Sequence, residues 1–433
     1  MLKLTPLLVL LTILMFEGGC SPSASVSIPA IIEGDSMAPT ICGDHLMVTC
    51  LDCQIEFVAE LAPNGGGDLT CPNCGFRKIS SEDATRVPTS EVELQSFSKF
   101  PRRWEIVGFE LPSDAQKKTG IKRIVGLPGE TIEIQNGDLY SRGKILRKPW
   151  ALQKEIRIPV FDSKFNAIAP YGNTARFVKA QEDSGWRVGS DLRFMSKGDG
   201  TDWLDYVHWR NCVRPGQRNK PVPIEDSYGF NQSLARELNP MDDVMVRLDV
   251  DFEVDSTMSL AFRRGKAEFE FEIAKSEKEF SISWSGASNR KPLVYKSLLP
   301  EELPAGTIEF SSFDRSVMLR VNGQQVFEIR EDESDSPESE ESNFEADSMS
   351  VFRIGGKRGS FRINRARIWR DIFYLKSPNG YQAPESVKLS AGSGEYILLG
   401  DNSPKSLDSR IWKKAGIDRR MLIGRLLRDA QSN

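Results

Sequence analysis

Three runs of period-two alternation constrain this chain more than any other feature: residues 244–250 (VMVRLDV), 267–273 (AEFEFEI) and 316–323 (SVMLRVNG). Successive side chains of a strand leave opposite faces, so alternation marks strands with one face in a core and one in water. Turn signals such as Asn322-Gly323 separate the runs, which points to an antiparallel β-sandwich within residues 150–384. Shorter strand-like runs flank this region at 105–109, 122–125, 130–134 and 396–399. The chain is therefore expected to be mainly β, and at 433 residues it exceeds one domain of roughly 100–200 residues.

Composition removes several function classes. A formal charge of −4 leaves no basic excess for nucleic acid. The only histidines, His45 and His208, stand in no H-E-x-x-H pattern, which argues against a histidine-dependent hydrolase or a histidine-ligated metal enzyme. After Lys3, residues 4–16 are almost wholly apolar but shorter than the roughly 20 residues of a spanning helix. They read as a signal h-region or a short signal-anchor. Gly18-Gly19-Cys20 resembles the lipidation site of bacterial lipoproteins, apart from Glu17 where an aliphatic residue is usual. The bulk of the chain is expected outside the cytoplasm, tethered at a membrane surface.

Three separated segments carry candidate chemistry. In Gly34-Asp35-Ser36-Met37-Ala38-Pro39-Thr40 a serine sits in a Gly/Pro turn, where its hydroxyl and neighbouring N–H groups can be exposed to a substrate. Lys122 opens the strand-like run of Ile121-Lys122-Arg123-Ile124-Val125-Gly126-Leu127-Pro128-Gly129-Glu130. A lysine half-buried there would fall from a pKa of about 10.4 toward neutrality and could act as a base. The third segment runs from Gly400-Asp401-Asn402 through Ser406 and Asp408 to Arg410 and Trp412.

In this order the three segments resemble the boxes of the bacterial type I signal peptidase family: S-M-x-P-T, K-R-x-x-G-x-P-G-D and G-D-N-x-x-x-S-x-D-S-R. The strand-like stretch 104–112 is similar to the one that precedes the lysine box. The resemblance covers about a third of the chain. It implies a Ser/Lys dyad with Ser36 as nucleophile, Lys122 as general base and Ser406 orienting the lysine amine. It also implies that Asp408 and Arg410 brace the site, with Asp401 and Asn402 in the supporting turn. Gly34 stands where one branch of the family supplies a serine hydroxyl to the oxyanion hole, so that donor is missing here. Glu130 replaces the usual aspartate, and Lys413 a common glycine. The implied activity removes signal peptides from exported preproteins and needs no cofactor for catalysis.

Cys50-x-x-Cys53 and Cys71-x-x-Cys74 have the paired spacing of a zinc ribbon, which would give a small segment its stability through one structural Zn²⁺. Two disulfides are the alternative in an oxidising compartment. Cys42 and Cys212 read as buried thiols.

The expected organisation is a signal or anchor segment (1–28), then catalytic core (29–48), a zinc-ribbon-like insertion (49–80) and core again (81–149). A β-sandwich insertion (150–384) and the last core part (385–433) complete it. Residues 80–98 read as a polar linker. The sandwich has a faint likeness to laminin-G or concanavalin folds, which leaves a glycan ligand, a protein ligand or a plain spacer open. Its acidic tract at 331–347 reads as a disordered loop, with a calcium site as the alternative. Because the residues matching the catalytic boxes all lie outside 150–384, a short linker in place of that insertion is expected to preserve cleavage of a short peptide while weakening that of full preproteins. The competing function is a non-catalytic binding or scaffold protein with a lectin-like sandwich on a protease-like core.

Overall fold

The computed structural model describes residues 27–427, apart from 32–33, 62–67, 78, 90, 112–117, 166–174, 210–220, 254, 265–266, 276–279, 287–292, 298–304, 331–350 and 379–386. The N-terminal apolar stretch, Cys20, Cys212 and the acidic tract lie outside the described residues. Those residues are mainly antiparallel β, and their one α-helix is Trp150–Ile156. No described helix is long and apolar enough to cross a membrane.

Strands from both ends of the sequence build one seven-stranded sheet. Its order is Ser27–Ile31, Glu91–Gln95, Leu422–Leu427, Ile106–Leu111, Lys118–Gly126, Glu395–Leu399 and Gly416–Asp418. Residues 91–95 therefore form an inner strand of this sheet instead of a linker. Leu94, only 1% exposed, anchors them, and its side chain lies where a Cβ on Gly108 would stand. A four-stranded sheet, including Thr131–Gln135 and Val387–Ser390, packs beside it over Val125, Ile132, Ile397 and Leu399.

The long middle of the chain forms two further sheets of eight and seven strands. The alternating runs supply Val244–Phe252 and Ser316–Val321 to the first and Ala267–Lys275 to the second. Their inward residues meet in one core that includes Leu248, Val250, Phe271, Phe310 and Leu319. The Phe262 and Phe310 rings approach to 4.1 Å, and each buried aromatic of this kind contributes roughly 1.5–3 kcal/mol.

This sandwich region is tied into the sheets outside it by buried charge. Lys148 Nζ contacts Asp314 and, at 2.9 Å, Asp371. Arg123 reaches Glu155 at 2.6 Å on the helix. Excising 150–384 would remove all three carboxylates, taking both acidic partners from buried Lys148 and leaving Arg123 with Asp401 alone. A short linker in place of this region would therefore have to leave Lys148 solvated or paired anew.

Candidate active site

The site forms where the turn at 34–40 meets the loop that follows the Glu395–Leu399 strand. Gly34 has φ +85°, a left-handed conformation that favours glycine, and a Cβ there would meet no atom within 4 Å. Ser36 follows, and Lys122 approaches it from the middle of the Lys118–Gly126 strand with Nζ 2.7 Å from Ser36 Oγ and 3.1 Å from the Ile121 carbonyl. As an ammonium, Lys122 donates to the hydroxyl; once deprotonated, it can accept the hydroxyl proton. Lys122 is 6% exposed. Burial pushes its pKa down to about 8, against the opposing pull of Asp408 and Asp401.

Consecutive strand residues point to opposite faces, so Arg123 leaves Lys122 free and turns elsewhere. Its guanidinium grips Asp401 at 2.8 and 2.7 Å and donates to the Trp104 carbonyl at 2.7 Å. Asp401 also accepts from Thr40, which links this ion pair to the serine turn.

Asn402 donates its N–H to the Ser36 carbonyl at 3.0 Å and its side-chain amide to the Asp35 carbonyl at 2.9 Å. Asp408 accepts the Gly400 N–H at 3.0 Å and is held by Arg410 at 2.8 Å. Arg410 in turn donates to the Ser403, Leu375 and Ser406 carbonyls. Ser406 is fully buried, and its Oγ has no hydrogen-bond partner among the described residues. A Cβ on Gly400 would stand 2.2 Å from that oxygen and 2.4 Å from the Ser36 carbonyl, so only glycine lets the two segments approach.

All of the site residues singled out from sequence outside the cysteine pairs thus come together: Gly34, Ser36, Lys122, Asp401, Asn402, Ser406, Asp408 and Arg410. The bond expected between Ser406 and the lysine amine is not formed. Sequence reasoning missed three residues that the fold brings beside this site: Asn231, which bonds Asn402, and Lys405, which contacts Glu60 and lies 3.8 Å from Asp35. Lys405 lies inside the third box, but nothing marked Glu60 or Asn231. Glu130, in place of aspartate, pairs with Arg103 at 2.7 Å and accepts the Leu127 N–H at 2.8 Å. Cys42 is half-buried instead of buried, and its thiol is pushed up to about 11, first by burial and then by Asp35.

The four cysteines cluster as a possible metal site. Their sulfurs lie within 4.8 Å of one another, with Cys50 to Cys74 at 3.6 Å and Cys53 to Cys71 at 3.7 Å. Four thiolates at about 2.3 Å around a tetrahedral metal stand roughly 3.8 Å apart, whereas a disulfide needs about 2.05 Å. The two knuckles also repeat one backbone pattern. Cys50 and Cys71 donate to the carbonyls of Ile55 and Phe76, and accept from the N–H groups of Gln54 and Gly75, both at positive φ.

Residues 3–192 match the family described as signal peptidase, peptidase S26. Over that stretch, which holds the Ser36 and Lys122 segments, the chain is similar to this peptidase family; the Gly400–Trp412 segment lies beyond it. No curated protein matches the chain. Among solved structures, a Caenorhabditis elegans galectin, LEC-6, is similar at 14% identity and a TM-score of 0.22, over 34% of this chain and 87% of its own. The Thermotoga maritima laminarinase catalytic domain is similar at 10% identity and a TM-score of 0.31, over 50% of this chain and 99% of its own.

Proposed function

We propose that this protein is a serine endopeptidase that works as a type I signal peptidase. The observation that carries the reading is the 2.7 Å approach of a buried, pKa-lowered Lys122 to Ser36. Neutral Lys122 takes the proton from Ser36 Oγ as that oxygen attacks the scissile carbonyl. The Lys122 ammonium then protonates the leaving amine, and water, deprotonated by the same lysine, hydrolyses the acyl-enzyme. The Ser36 N–H is the oxyanion donor this chain supplies, and the open space at Gly34 leaves room for water or a substrate group beside it. Asp401, Asn402, Asp408 and Arg410 hold the two segments in register, and Ser406 offers its unpaired hydroxyl to the lysine as the amine turns during proton transfer.

The substrates are preproteins with N-terminal signal peptides, cut after small residues on the extracytoplasmic side of a membrane. The N-terminal apolar segment would tether the enzyme there, with lipid on Cys20 as one means. Cys50, Cys53, Cys71 and Cys74 would hold one structural Zn²⁺, which supplies stability and no chemistry. The test is cleavage of a preprotein carrying an A-x-A site by purified protein in detergent. Cleavage by the native chain and none by Ser36→Ala supports the reading. No cleavage by native, folded chain would favour the scaffold alternative.

A further inference from the structure

Four consecutive residues of the sandwich region, 230–233, each bond to the cysteine segment or to the catalytic loop. The Phe230 carbonyl accepts the Glu60 N–H at 3.1 Å, and Ser233 N–H donates to Glu60 Oε1 at 2.6 Å. Gln232 brackets Thr70, one residue before the second knuckle, at 2.8 and 2.9 Å. Asn231 and Asn402 exchange reciprocal amide bonds of 2.6 and 2.9 Å, both side chains being buried.

That exchange decides which way the Asn402 amide faces. With its Oδ1 satisfied by Asn231, its Nδ2 is turned to donate to the Asp35 carbonyl, while its backbone N–H holds the Ser36 carbonyl. Both peptide carbonyls around the serine are thus fixed by one residue whose orientation is set from the sandwich. Glu60 acts on the other side. It is 3% exposed and contacts Lys405 Nζ, which also lies 3.8 Å from Asp35. The Lys405 cation is so held between the cysteine segment and the residue preceding Ser36.

We propose that Asn231 and Glu60 are positioning residues of the Ser36/Lys122 site, so that the sandwich region and the cysteine segment complete the active site instead of merely adorning it. This rests on the peptidase reading. Neither residue touches Ser36; each acts through Asn402 or Lys405. A displacement of about 1 Å at a reacting atom costs on the order of a hundredfold in rate, so loss of either tie should appear in kcat.

The experiment is steady-state hydrolysis of a short peptide by the full, metal-loaded chain. Asn231→Ala and Glu60→Gln should each lower kcat by about ten- to a hundredfold while KM changes by less than about twofold. Lys405→Met should match Glu60→Gln, and the double variant should be no worse than either single one. If Asn231→Ala does not fold, Asn231→Asp, equal in size but unable to donate back, should show the same loss. Full kcat in folded variants, with Ser36→Ala inactive, would overturn the positioning roles alone. An active Ser36→Ala would overturn the peptidase reading instead.

Discussion

The serine turn and the seam between the sandwich and the sheets outside it each bury a lysine, and they treat it in opposite ways. Lys122 and Lys148 are 6% and 4% exposed. Lys122 meets a hydroxyl and a carbonyl, so burial prevails and its pKa falls to about 8. Burial alone would also lower Lys148, but Asp314 and Asp371 more than offset it and hold that amine well above its ordinary range. Burial by itself therefore says little about a lysine. The partner set decides whether it is a base in waiting or a structural cation.

Removing the amine should break the comparison most sharply at the turn. Lys122→Ala and Ser36→Ala are each expected to lower peptide cleavage by at least about a thousandfold with the fold intact. Lys122→Arg should be equally inactive, because a guanidinium stays protonated. Activity assays beside circular dichroism check all three, and retained activity in any of them would end the dyad.

Stability should show the reverse order. Lys148→Met leaves Asp314 and Asp371 buried without their counter-charge, each keeping only backbone donors, and should destabilise by about 3–5 kcal/mol in urea unfolding. Lys122→Met removes a desolvated amine without a carboxylate partner, and its cost should stay below about 1 kcal/mol. Since Lys122 falls to about 8 from its ordinary 10.5, the unfolded chain binds its proton more readily between those values. Its contribution to stability therefore rises with pH across that window, a slope that Lys122→Met should abolish. Equal losses for the two variants would contradict the contrast.

Metal removal should have a smaller and more local effect. Elemental analysis is expected to find about one zinc per chain, and a chelator should loosen the cysteine segment before the sandwich unfolds, as hydrogen exchange would report. Two disulfides found by mass mapping, with no metal, would decide for the alternative.

How much of this was legible depends on how local each signal is. The strands at 244–252, 267–275 and 316–321 were readable because alternation is a property of neighbouring residues. The serine, lysine and Gly400–Trp412 segments were readable because each packs several site residues into one short stretch. Residues 91–95 were not, since an inner strand with only Val92 and Leu94 as apolar residues looks like a polar linker. Asn231 was not either. It sits in a stretch without regular structure, 171 residues from the Asn402 it orients, and only the folded chain brings the two amides together.

The most direct test of the central claim is the pH dependence of kcat/KM on a short peptide. Below the Lys122 pKa the amine carries a proton and cannot take one from Ser36, so the rate should climb about tenfold per pH unit up to about 8 and level above it. A profile that is flat from about pH 6 to about pH 9, or that falls across this range, would show that a neutral Lys122 is not the base.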